Sequence, residues 1–100
     1  MKITIPEKLK LMGQTIQVVY EDGLVTRCDA VGHARYRENT IALQKSTEAY
    51  RLSDEQIEET FFHELFHFIF FKLGEKELME NEKLIDGMAG LLHQALRTME

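Results

Sequence analysis

The sequence predicts an α+β fold: a small antiparallel or mixed sheet of 3–5 strands, then two helices. Three observations carry that expectation. Apolar residues alternate with polar ones through most of positions 1–46. From Ser53 onward the apolar period lengthens to that of a helix. Turn and capping residues fall where the period changes or the chain must reverse.

Residues 2–5, KITI, alternate and read as a first strand ended by Pro6. The next two alternating runs flank Met12-Gly13, a hairpin signal. Glu21-Asp22-Gly23 reads as a turn, and positions 24–31 fit neither period. GHARYRENTIALQ reads as a second hairpin, with strands near 33–37 and 40–44 and a turn at Glu38-Asn39. Ser53 and Gln56 have the spacing of a capping box, so a helix is expected from Asp54 to Leu73, closed by Gly74. EKELMEN reads as a polar connection to a last helix from Asn81 to Met99. Leu84, Ile85, Met88, Ala89, Leu91, Leu92 and Leu96 would form its buried face. The expected organisation is one domain over 1–100, mostly β over 1–46, with a central helix at 53–73 and a C-terminal helix at 80–99.

With 100 residues, 44% of them hydrophobic, the chain has material for one core and not for two. A net charge of −5 argues against a nucleic-acid partner, whose binding surfaces are basic. A single cysteine, Cys28, excludes an internal disulfide framework and fits a reducing compartment. MKITIPEKLK has neither an apolar core nor a cleavage site of the secretory kind, and no apolar run approaches a membrane span. The expectation is a soluble cytoplasmic protein with no membrane partner.

The predicted central helix contains TFFHELFHFIFF, which sets three ionisable groups among phenylalanines. Burying such groups is costly unless they are paired or bind a metal. HELFH is H-E-x-x-H. A spacing of four puts His63 and His67 on one helix face, able to converge on one ion. Glu64 sits beside that face, where a carboxylate can take a proton from water without ligating the ion. A catalytic zinc site needs a third protein ligand. Glu82 and Asp86 share one face of the last helix with Ile85 and Ala89, so that face is expected to point inward, and a buried pair of carboxylates calls for a cation. Glu82 is the preferred third ligand, with Asp86 accepting the free N–H of a ligating histidine. The reverse assignment, with Asp86 as ligand, stays open.

Around this motif the sequence resembles known families. HELFH followed by NEKLID is similar to the gluzincin arrangement, H-E-x-x-H then N-E-x-x-x-D. The overall plan of NTIALQ, EETFFHELFHFIFFKLG and the last helix resembles minimal ImmA/IrrE-like metallopeptidase domains, including the short proteins encoded by phages and prophages. The resemblance implies His63 and His67 as zinc ligands, Glu64 as general base and a carboxylate from the last helix. Asp86-Gly-Met-Ala89 stands where larger members have a pattern opened by glutamate, which keeps Asp86 in play.

Among the remaining residues, His33 is most simply a partly exposed strand histidine. Its functional alternative is that His33 or Tyr36 stabilises an oxyanion, with Arg35 and Arg37 as weaker candidates. His93 is expected to be peripheral, and Cys28 a small buried or half-exposed residue without a metal role. NTIALQ, directly before the connection to the helix, is the candidate edge strand for an extended peptide. These features predict a zinc metallopeptidase acting on a peptide or protein substrate. The alternative is a zinc-stabilised binding module that has lost catalysis, and a metal-free domain is the third reading.

Overall fold

A computed structural model of the chain describes residues 3–100. Strands β1 (Lys8–Leu11) and β2 (Gln14–Glu21) form an antiparallel hairpin. Its two turn residues, Met12 and Gly13, both take positive φ, 50° and 78°, as a tight hairpin turn requires. The strand expected at 2–5 is not found. Residue 2 lies outside the described residues, and Ile3–Ile5 are irregular, with Ile3 and Ile5 packed against the core. The ladder continues only as far as a bond from Val18 N–H to Glu7 O (2.9 Å), and Pro6 beyond it has no N–H to donate.

The ambiguous stretch after the turn holds a short helix, α1 (Leu24–Cys28), whose Leu24 is fully buried. It carries the chain across to β3 (Gly32–Arg35), which pairs antiparallel with β4 (Thr40–Gln44). β4 then pairs parallel with β2, giving a four-stranded mixed sheet in the order β1-β2-β4-β3. This corrects the expected role of NTIALQ. β4 is an inner strand, and the edge strand beside it is β3, with β1 at the other edge. The physical reason is visible in β4 itself. Ile41, Ala42 and Leu43 are an unbroken apolar run, all buried, as an inner strand covered on both faces demands.

Gln44 closes the corner between sheet and α1. It is 1% exposed; its Oε1 accepts from Val25 N–H (2.8 Å), and its Nε2 donates to the carbonyls of Asp22 (2.6 Å) and Lys45 (2.9 Å). A buried amide is tolerable because every group it carries is satisfied.

Helix α2 (Asp54–Leu73) has the expected bounds. Ser53 Oγ accepts from Gln56 N–H (3.1 Å) while Gln56 Oε1 accepts from Ser53 N–H (2.8 Å), and Gly74 closes the other end at φ 74°. The polar connection contains one helical turn, α3 (Lys76–Met79). The last helix, α4 (Glu82–Thr98), begins at Asn81, whose Oδ1 accepts from Leu84 N–H (3.0 Å).

One face of the sheet packs on α2, and α2 packs on α4. Ile16, Val18, Ala34, Ile41 and Leu43 meet Phe61, Phe62, Phe68 and Ala89 in one core. The inward line of α4 is Ile85, Ala89 and His93, each one turn apart. Leu84 and Leu91, expected on that face, are exposed. His93, expected to be peripheral, is buried. Its Nε2 lies 2.8 Å from Glu58 Oε1, and Arg97 reaches the same carboxylate through Nε (2.8 Å) and Nη2 (3.1 Å). Arg97 holds the Glu58 carboxyl below its ordinary value, through hydrogen bonding against the opposing effect of burial. No helix among the described residues is long and apolar enough to cross a membrane.

Candidate metal centre

The site forms where α2 meets the first turn of α4. His63 and His67, one turn apart on α2, turn their Nε2 atoms to within 3.2 Å of each other. The Asn81 cap starts α4 so that Glu82 is its first residue, level with both rings. Glu82 Oε2 lies 3.1 Å from His63 Nε2, and Glu82 Oε1 lies 3.1 Å from His67 Nε2. One turn on, Asp86 Oδ1 lies 2.7 Å from His63 Nδ1. Two ring nitrogens and one carboxylate, a donor from each of three residues within 4.8 Å of one another, thus form a small triangle that could hold a metal ion, with Asp86 outside it on the far nitrogen of one ring.

The inward burial expected for the two carboxylates does not hold. Glu82 and Asp86 are not buried; their side chains are 63% and 69% exposed. They stand on the shoulder of α4 between its inward line and solvent. A carboxylate there needs no cation to compensate burial, so the case for a metal rests on the triangle and not on desolvation. The histidines are more enclosed, His63 at 19% and His67 at 11% side-chain exposure. His67 Nδ1 is buried and has no hydrogen-bond partner among the described residues.

Glu64 is buried under β3. The register of β3 with β4, together with the bond from Gln44 N–H to Val31 O (2.8 Å), puts residues 31, 33 and 35 in the hydrogen-bonded pairs. Gly32 and Ala34 therefore turn their N–H and C=O groups to the open edge. The Ala34 N–H donates to the Glu64 carboxylate. Burial pushes the Glu64 carboxyl up to about 7; Glu82 and Asp86 add to the rise, and His63 and the Ala34 amide oppose it. Gly32 allows this approach, because a β-carbon there would stand 2.5 Å from the Thr60 methyl and 2.9 Å from Glu64 Oε2. In the sequence the only trace of this role is a glycine that opens a short strand.

A cleft of about 360 Å³ runs past the triangle, lined by His33, Tyr36, Glu64, His67 and Glu82 among others. His33 is exposed at its rim. The Tyr36 ring stacks on Phe71 (4.6 Å between centroids) and meets Phe68 edge-on (5.1 Å). Burial pushes its hydroxyl up to about 12, with Glu64 and Glu82 adding to the rise, so it stays protonated at neutral pH. Arg35 is committed elsewhere, to Glu21 through two bonds of 2.6 and 2.8 Å. Arg37 does not line the cleft, and Cys28 is exposed on α1. Comparison with protein-family models, with curated proteins and with solved structures finds no match for this chain.

Proposed function

We propose that this protein is a zinc-dependent metallopeptidase of the ImmA/IrrE-like kind, working in the cytoplasm. The observation that carries the reading is the donor triangle with Asp86 behind it. With Asp86 accepting from Nδ1–H, the His63 ring turns a bare Nε2 lone pair toward the Glu82 carboxylate. Two lone pairs 3.1 Å apart repel unless a proton or a metal ion lies between them. The donor set, two imidazoles and a carboxylate, is that of catalytic zinc. Ligand atoms about 2.0–2.1 Å from a tetrahedral ion lie about 3.3 Å apart. Here the two Nε2 atoms are 3.2 Å apart, and each lies 3.1 Å from a different oxygen of the Glu82 carboxylate. The residues present therefore fit the ion.

His63, His67 and Glu82 would hold the metal, and Asp86 fixes the tautomer of His63. The ion supplies Lewis acidity toward a carbonyl and lowers the pKa of water. Glu64 takes a proton at its carboxylate and returns it to the leaving amine; the Ala34 N–H keeps the carboxylate aimed. The Tyr36 hydroxyl, still protonated at neutral pH, is the candidate donor to the oxyanion, with His33 at the rim as the second candidate. The open edge of β3 is the strand along which an extended peptide would lie.

The test is cleavage of a broad peptide library by the zinc-loaded protein, read by mass spectrometry. Wild type cleaves, and Glu64→Gln binds zinc and does not. Zinc binding without any cleavage by wild type would instead favour the zinc-stabilised binding module.

A further inference from the structure

The groove does not end at the triangle. A second cleft of about 450 Å³ opens on the other side of His63 and Glu64. The two clefts share Ala30, Gly32, His63 and Glu64, so they adjoin along β3 and together form a trough. A peptide laid on β3 would cross the triangle and drop one side chain into the larger cleft.

The chemistry of that cleft is one-sided. Val31, Leu52, Ala89 and the ring of Tyr50 give it apolar walls. Beyond His63 and Glu64, the ionisable groups lining it are the carboxyls of Glu59 and Asp86 and the Tyr50 phenol, and no lysine or arginine lines it. Asp86 is engaged by His63. Glu59 has no ion-pair or hydrogen-bond partner among the described residues. Its Oε1 rests over Gly90 of α4, 3.0 Å from where a β-carbon would stand, so the missing side chain leaves the carboxylate its place at the cleft wall. An open cleft with these apolar walls and an exposed, unpaired carboxylate at its rim suits a side chain with an apolar stem and a cationic head. The tyrosine ring offers such a head a second attraction. An acidic side chain would meet like charge, and a purely apolar one would gain nothing from the exposed Glu59 carboxylate.

We infer that the trough selects extended peptides with lysine or arginine at the position seated in the larger cleft, and that Glu59 is the specificity-determining residue. The inference rests on the peptidase reading for the placement of the peptide, but recognition can be measured apart from cleavage.

The experiment uses capped hexapeptides identical except at one position, which carries lysine, arginine, norleucine or glutamate. Binding is measured by fluorescence anisotropy to the zinc-loaded Glu64→Gln protein, and cleavage with zinc-loaded wild type. The lysine and arginine peptides should bind about fivefold more tightly than the norleucine peptide, the upper range for a partly exposed ion pair. Glu59→Gln should erase that preference, while Glu77→Gln on α3 should keep it. Equal binding of all four peptides, no binding of any, a norleucine preference, or a basic preference that survives Glu59→Gln overturns the inference. A Glu59-dependent basic preference without cleavage sustains the inference and removes the peptidase reading. Cleavage that ignores the varied position does the reverse.

Discussion

At Gly32 the absence of a side chain lets β3 lie against α2, and the catalytic geometry proposed for Glu64 depends on that approach. Gly32→Ala would force a β-carbon into the Thr60 methyl and the Glu64 carboxylate. It should lower stability by about 1–3 kcal/mol, the usual range for overpacking, as read by urea denaturation. Asp86 is a second residue whose effect reaches beyond its own contacts. It holds one nitrogen of His63, so on the proposed reading Asp86→Ala weakens zinc binding by about 10–100-fold while leaving the three ligands in place. Competition with a chromogenic chelator measures this directly. These two residues differ in how far the sequence discloses them. Asp86 was legible because one turn of helix after Glu82 is a fixed spacing. Gly32 was not, since its role depends on which strand packs beside Glu64.

At the scale of elements, α2 and α4 are clasped by Glu58, His93 and Arg97 at the end away from the triangle. Glu58→Gln keeps the shape but loses the charge that both partners face. It should cost about 1.5–3 kcal/mol, the range for a hydrogen bond to charged groups. The sign of the pH effect follows from the lowered Glu58 carboxyl. Its contribution is fully present above the ordinary value of 4.5 and is lost as pH falls below that value toward the folded-state one. Denaturation curves taken from pH 6 down to about pH 3 should therefore fall less steeply for Glu58→Gln than for wild type. Helix α2 was legible end to end because its stop and start signals, Ser53, Gln56 and Gly74, are local. The order of strands was not. A parallel pairing of β2 with β4 depends on the crossover through α1, which the sequence leaves without a clear period. The one local clue to it is the unbroken Ile41-Ala42-Leu43 run, the mark of an inner strand.

The whole molecule joins a thin mixed sheet, a helix that carries two histidines and a returning helix that brings a carboxylate level with them. The convergence of Glu82 on the two histidines is legible in the motif spacing and the shared face of α4, but the exposure of Glu82 and Asp86 is not, because helical periodicity does not resolve the shoulder of a helix from its buried line. An ion at this junction would tie α2 to α4, so binding must stabilise the fold. At a hundredfold excess over the dissociation constant the gain is about 2.7 kcal/mol, or about 10 °C or more in Tm for a domain of this size. The most direct measurement is a zinc titration of the purified, metal-stripped chain, with the bound ion counted by elemental analysis and Tm followed alongside. The account predicts one zinc ion per chain, a rise in Tm on loading that a chelator reverses, and loss of both in His67→Ala and in Glu82→Ala. A wild-type chain that binds no zinc, or variants that bind it as well as wild type, would contradict it.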